Sequence, residues 1–385
     1  MNNNSKFKIH KSKIKVGVIF GGRSAEHEVS LVSAASIINA LDKKKYEVIP
    51  IGITSEGRWL SSADAVTLMK TGKRLDNQPE KILLPDPTVR KLVSPRTSGS
   101  TSENKSLDVI FPVLHGTFGE DGTIQGLLEL ANIPYVGAGV LGSAVGMDKV
   151  VTKQLCELAN IPITPYVWFL SDLYQTKRTK IILTIEKQLG YPCFIKPANS
   201  GSSVGISKAH NRKELLPAIE LAAGYDRKIL VEKSIERARE IEVSVLGNDN
   251  PAASVPGEII SSNEFYDYDA KYVDGKSTAS IPAQLPEAIR KKIQDIAVRG
   301  FKAIDCSGMA RVDFLVTKRT NKIYLNEINT IPGFTSISMY PKLWEASGIP
   351  YPKLLDRLIE LAIARHQQKE RLKTTFTPKV DWYKR

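Results

Sequence analysis

The chain has 385 residues, 42% of them hydrophobic and 25% charged, with a formal net charge of +13. Its length exceeds one typical core and points to two or three domains, while the lack of an apolar run of about 20 residues excludes a membrane-spanning helix. The charge is carried mainly by the ends, with five Lys and no acid in residues 1–15 and seven Lys/Arg against two acids in residues 365–385; this describes solvated tails rather than the basic, aromatic-lined face that nucleic acid needs.

The basic N-terminus lacks the apolar segment of a secretory signal. After it, residues 15–22 (KVGVIFGG) read as a strand ending in two glycines. A helix follows to residue 41, with Leu31, Ala34, Ala35, Ile38 and Leu41 on one stripe, Ser24 as N-cap, and Glu26 and Glu28 complementing the helix dipole. Strands at 46–53 and 107–114 complete an α/β beginning of parallel character. Residues 70–106 between them, with the run SPRTSGSTSENKS, are expected to form a partly disordered surface excursion. Ligands of open α/β sheets gather beyond the carboxyl ends of strands, so the loops at 21–26 and 115–122 are the first candidate site segments.

A break falls near residues 136–139. Beyond it, 147–158 reads as a helix, 166–169 as a strand, 179–189 as a helix, and 191–197 as a strand ending just past Lys196. The following loop, ANSGSSVGI at 198–206, lacks the Walker spacing. Its small residues still let backbone N–H groups close on an anion, with Lys196 as an adjacent point charge. Strands at 229–233 and 241–246 come without regular βαβ alternation, so this section reads as α+β. Cys156, Cys193 and Cys306 form no CxxC pair and are expected to be reduced core residues of a cytoplasmic protein.

The last motif is a hairpin, 309–316 and 322–328, about a polar turn. Alternation along a strand sets Arg311 beside Asp313 and Glu327 beside Asn329. That is either an ordinary salt-bridged hairpin or a set of hard oxygen ligands suited to Mg²⁺. The turn at 331–334 and the hydroxyls of Thr335, Ser336 and Ser338 offer a place for a small carboxylate beside a metal-bound phosphate.

Nine segments carry a resemblance: GGRSAEHEVS, LHGTFGEDGTIQG, GMDK, FIKPANSGSSVGISK, LVEK, REIEVSVLG, FYDYDAKY, ARVDF and YLNEINTIPGFTSISMYP. In this order, from about residue 15 to 360, the chain resembles the D-alanine–D-alanine ligases, which are ATP-grasp enzymes. The resemblance implies a three-domain ATP-grasp fold of α/β and α+β parts, with ATP between the central and C-terminal domains. The expected domains are 1–138, 139–232 and 233–385. It also implies ATP-driven joining of two D-alanines through an acyl phosphate, for peptidoglycan, by a cytoplasmic homodimer. The expected metal is two Mg²⁺ ions, with Mn²⁺ as a substitute; no nucleic-acid or membrane partner is expected.

Carried over residue by residue, the resemblance gives Lys149, Lys196 and Lys271 to the phosphates, Glu232 and Lys233 to adenine, and Glu240 to the ribose. Ser203 and Ile235 complete the nucleotide site, and Asp313, Glu327 and Asn329 are the metal ligands. Glu26 takes the ammonium of the first D-alanine, with His115 orienting that site. Ser338 and the Met339 backbone take the carboxylate of the second. Arg311 and the Gly333 N–H stabilise negative charge as the acyl phosphate and tetrahedral intermediate form. Residues 265–273 resemble a loop that closes over the site, with Tyr272 hydrogen-bonded to Ser202 and so reaching Glu26. Members that join D-alanine to D-lactate typically carry histidine at that tyrosine, so Tyr272 favours an amine acceptor over a D-lactate ligase; a D-serine ligase is the other variant. A protein that merely sensed ATP would require none of Glu26, Ser202, Tyr272, Arg311 and Ser338.

Overall fold

The structure, a computed structural model, describes residues 12–71, 81–93, 106–260 and 278–376. The N-terminal part runs β1 (Ile14–Gly21), α1 (His27–Ala40), β2 (Tyr46–Ile53), β3 (Trp59–Ser61), α2 (Ser62–Thr71), β4 (Ile82–Leu83), β5 (Leu92–Val93), β6 (Val109–Val113) and α3 (Thr123–Leu130). β1 lies between β2 and β6, parallel to both, and β3 closes the edge antiparallel to β2. Both faces of β1 are covered: Val16, Val18 and Phe20 enter one core and Ile19 the opposite one. That double burial is why the run is continuously apolar.

Two details here differ from expectation. Within 70–106, residues 81–93 are not a loose excursion, because β4 and β5 pair antiparallel and Leu83 is buried in the second core. The remaining residues 72–80 and 94–105 lie outside the described set. Ser24 is not the N-cap of α1: its Oγ accepts the Glu26 N–H at 3.1 Å in a tight turn, and the helix starts at His27. Glu26 holds the cap position without capping, which frees its side chain for another task.

The middle of the chain comprises α4 (Val140–Met147), α5 (Lys149–Leu158), β7 (Tyr166–Leu170), α6 (Ser171–Gln188), β8 (Cys193–Pro197), β9 (Ser207–Ala209), α7 (Arg212–Ala223) and β10 (Lys228–Lys233). Its strands form an antiparallel sheet in the order β7-β10-β8-β9. Asp148 separates α4 from α5 and caps the latter, accepting from the N–H groups of Val150 and Val151 at 3.1 Å each.

The rest is β11 (Ala238–Gly247), β12 (Ala252–Ala253), β13 (Gly257–Ile260), β14 (Thr278–Ser280), α8 (Glu287–Ala303), β15 (Gly308–Thr317), β16 (Ile323–Asn329), α9 (Met339–Ala346) and α10 (Tyr351–Glu370). The order β14-β13-β11-β15-β16 is antiparallel throughout. Cys156 of α5 and Ile161 just beyond it share the core beneath this sheet with Phe301 and Phe314. All three cysteines are buried free thiols.

α10 corrects the reading of a solvated basic end. Its Leu354, Leu355, Leu358 and Ile359 share a core with Val16, Val18 and Phe20 of β1. Arg365 donates to the carbonyls of Gly137 and Tyr135 and to Ser307 Oγ, and its guanidinium lies 4.5 Å from the Tyr135 ring centroid. Lys369 pairs with Glu129. The first basic residues of the C-terminal stretch therefore tie the last helix to the N-terminal part.

Candidate active site

The three parts converge on a cavity of about 320 Å³ whose walls include Glu26, His115, Lys149, Ser202, Arg311, Glu327, Asn329, Gly333, Ser338 and Met339. A neighbouring cavity of about 130 Å³ is lined by Lys196, Glu232, Lys233, Ile235, Glu240 and Asp313. Ser203, Arg311 and Glu327 line both. Every described residue that the sequence proposes thus lies on one of two adjoining surfaces. Lys271 and Tyr272, with the rest of the 265–273 loop, fall outside the described residues.

The N-terminal sheet meets the glycine-serine loop through Glu26, whose Oε1 accepts a hydrogen bond from Ser202 Oγ across 176 positions of sequence. Two glycines make room for this buried carboxylate. A Cβ on Gly201 would collide with Glu26 Oε2, and one on Gly116 would stand 2.6 Å from it. The loop backbone is unusual for L residues: Ser202 and Ser203 have φ of 45° and 60°, in the left-handed region that costs energy for non-glycine residues. Ser200 Oγ donates to the Val204 carbonyl at 2.9 Å, and Lys149 Nζ donates to the Ser200 carbonyl at 2.6 Å. Burial pushes the Lys149 ammonium below its ordinary range, against the pull of Glu327.

Glu232 forms the far wall. Lys196 Nζ lies 2.5 Å from its Oε2, while Lys153 Nζ and Thr164 Oγ1 bond to Oε1, the hydroxyl at 2.9 Å. Burial alone would raise this carboxyl, but the two lysines overcome it and hold Glu232 well below the usual carboxylate range. Lys196 is held above its ordinary value by the same pairing, against burial.

At the hairpin, the antiparallel register sets Asp313 opposite Glu327 and Arg311 opposite Asn329. On the other flank β11 sets Glu242 opposite Asp313. Arg311 makes a fork on Asp313, both N–O distances being 2.7 Å, and its Nε lies 3.1 Å from Glu242 Oε2. Burial disfavours the guanidinium charge, yet Asp313 and Glu242 hold it well above its usual value. Beyond the hairpin, Ser338 Oγ accepts the Thr335 N–H at 3.0 Å. A Cβ on Gly333 would come within 2.7 Å of that oxygen, so glycine is what lets the turn and the start of α9 lie together.

His115 is more deeply engaged than its expected role suggests. Its Nδ1 lies 3.0 Å from the Ile331 carbonyl and its Nε2 3.2 Å from Ser33 Oγ. Burial pushes its pKa down, so the ring is neutral, with Nδ1–H donating to the carbonyl and Nε2 accepting from the hydroxyl. It acts by bracing the 331–334 turn against α1. The sequence reading missed Glu120, Lys153, Thr164 and Glu242. Glu242 carried a usable signal, since it sits two positions from Glu240 on one strand face. Lys153 carried none, being one more lysine on an amphipathic helix.

Asp313, Glu327 and Asn329 carry hard oxygen donors on one hairpin face, with the Asp313 oxygens held here by Arg311 and Asn329 Oδ1 by the Ile331 N–H, and no group of three His, Cys, Asp or Glu forms a closed cage among the described residues. An open, carboxylate-rich wall of this kind fits Mg²⁺, which takes few protein ligands and completes its shell with other oxygens. No helix among the described residues is long and apolar enough to cross a membrane.

A family profile described as D-ala D-ala ligase N-terminus matches residues 15–138, and one described as D-ala D-ala ligase C-terminus matches residues 155–360. The chain is 53% identical to a D-alanine–D-alanine ligase of Natranaerobius thermophilus, over 95% of this chain and 99% of that protein. It is 52% identical to the ligase of the same name from Heliobacterium modesticaldum, over 96% and 100%. Among solved structures it is similar to the D-alanine–D-alanine ligase of Coxiella burnetii, with a TM-score of 0.79 and 41% identity over 93% of this chain and 96% of that one. It is also similar to the VanG D-Ala:D-Ser ligase of Enterococcus faecalis, with a TM-score of 0.81 and 38% identity over 91% and 100%. The converging geometry and the match of both family halves lead to one conclusion: the chain belongs to the D-alanine–D-alanine ligases, ATP-dependent enzymes of ATP-grasp fold that make D-alanyl-D-alanine for peptidoglycan.

Proposed function

We propose that the two adjoining cavities carry out this ligation with the roles set out from the sequence. Glu26 binds the ammonium of the first D-alanine and, through Ser202, registers it against the glycine-serine loop. Lys149, Lys196 and Ser203 hold phosphates, while Glu232, Lys233, Ile235 and Glu240 hold the nucleoside. ATP supplies the γ-phosphoryl that makes the first carboxylate an acyl phosphate; Asp313, Glu327 and Asn329 would hold Mg²⁺, which would supply positive charge beside the phosphates. Arg311 and the Gly333 N–H stabilise the oxygens on which negative charge builds. Ser338 Oγ and the Met339 N–H orient the second D-alanine so that its amine faces the acyl carbon. Lys271 and Tyr272 belong to the same proposal as phosphate contact and partner of Ser202.

The division into 1–138, 139–232 and 233–385 is part of this reading, as are a homodimer and a cytoplasmic location; α4 and α5 then serve as the joint between the central and C-terminal parts. The observation that carries the proposal is the Glu26–Ser202 hydrogen bond, which joins the residue assigned to the amino acid and the loop assigned to phosphate from distant parts of the chain. The test is phosphate release from ATP with Mg²⁺, comparing D-alanine, L-alanine, and D-alanine with D-lactate or D-serine. Release that requires D-alanine, matched by D-alanyl-D-alanine, is expected. Depsipeptide or D-alanyl-D-serine outrunning the dipeptide at neutral pH would overturn the acceptor assignment.

A further inference from the structure

Lys153 projects from α5 into the interior and is 1% exposed. Its ammonium contacts the Glu232 carboxylate, donates to Thr164 Oγ1 at 2.8 Å, and lies 5.8 Å from the centre of the Tyr166 ring. Thr164 Oγ1 in turn donates a hydrogen bond to Glu232 Oε1 at 2.9 Å. Oε1 therefore has two permanent donors on its buried side. Oε2 faces the other way and, among the described residues, pairs with Lys196 at 2.5 Å.

The two lysines differ in what they can reach. The Lys196 side chain is 12% exposed and lines the nucleotide cavity; the Lys153 side chain is 2% exposed and lines neither cavity of the site. Lys196 also stands on β8, immediately before the glycine-serine loop, diagonal to Glu232 across the β8–β10 pair. An arriving triphosphate can draw Lys196 away, but it cannot draw Lys153. A buried carboxylate that lost its only cation would oppose that exchange.

We propose that Lys153 is a positioning residue, the fixed counter-ion of Glu232 that lets Lys196 exchange the carboxylate for the phosphates of the nucleotide. The inference rests on the placement of nucleotide against Glu232 proposed above. Departure of Lys196 uncovers Oε2, which then accepts a hydrogen bond from the exocyclic amine of the base. Phosphate and base are thereby read in one exchange, with the carboxylate kept charged and aimed by Lys153 and Thr164. A base with a carbonyl in place of the amine, as in inosine triphosphate, gains nothing from the uncovered oxygen.

The test is steady-state kinetics of K153M, T164V, E232Q and the double variant K153M/E232Q, with ATP and with inosine triphosphate. K153M is expected to raise KM for ATP at least about tenfold and to shrink the preference for ATP over inosine triphosphate, leaving KM for D-alanine within about twofold. In the E232Q background the K153M effect on KM for ATP should disappear, because the partner it serves is neutral. Should K153M fail to fold, T164V, which removes only the relay hydroxyl, is expected to raise KM for ATP about threefold. An unchanged KM for ATP in folded K153M or T164V, or a K153M effect undiminished in the E232Q background, would overturn the inference while leaving the nucleotide site in place. An E232Q enzyme with unchanged KM and unchanged base preference would instead remove Glu232 from the nucleotide site, and the inference with it.

Discussion

Glu120 shows how much of the site's electrostatics is set by single side chains. It is 8% exposed, and its Oε2 accepts the Gly116 N–H at 3.1 Å. Burial, and then the nearby Glu26, raise its pKa well above the ordinary 4.5. A carboxyl raised in the folded state contributes stability that is present below its unfolded value and lost as pH rises through the folded one, because the unfolded chain sheds the proton first. E120Q mimics the neutral form at every pH. Its Tm should therefore exceed that of the parent by a margin that grows from pH 5 to pH 8, followed by scanning calorimetry; a margin that shrinks with pH would contradict the raised carboxyl. The residue was visible in the quoted HGTFGEDG run, but nothing in that run says which of its two acids turns inward. Burial decides that, with Asp121 left to cap local N–H groups of Phe118 and Thr123.

At the scale of elements, the β15–β16 hairpin was the most legible part of the chain. Its alternation of buried apolar and half-exposed polar residues sets Arg311 and Asp313 on one face, and the observed register brings Glu327 and Asn329 opposite them. Its third flank was not legible as such, since only sheet topology puts β11, and so Glu242, beside Asp313. E327Q tests the hairpin as a metal-bearing wall. Turnover should fall by at least about 10²-fold, with unchanged far-ultraviolet circular dichroism. Near-normal turnover at saturating Mg²⁺ would remove Glu327 from that wall. The opposite case is residues 81–93, where the PDPTVR run suggests a loose loop, yet two short strands pair because Leu83 finds space in the core.

For the whole molecule, the decisive feature is that the last helix returns to the first sheet. Leu358, fully buried, belongs to the same core as Val18 and Phe20. L358A should cost about 2–5 kcal/mol, the usual range for emptying a buried leucine site, and lower Tm accordingly. It should weaken activity as well, since the 331–334 turn is braced on α1 by His115 and Ser33 and hangs from this core through Phe334. Loss of stability without any change in kinetics of the remaining folded enzyme would show that the core does not transmit to the site.

By itself the sequence determined the main secondary-structure segments and the family, because periodicity, turn residues and motif order are all contiguous properties of the chain. The described residues it proposed all line the two adjoining cavities. Only the tertiary structure decided which charges meet: Glu26 with Ser202, Lys153 with Glu232, Arg311 with Glu242, and Arg365 with the 135–137 turn. Such pairings join residues tens to hundreds of positions apart. They follow from how sheets and helices pack to bury their apolar faces, and local pattern carries no record of that packing.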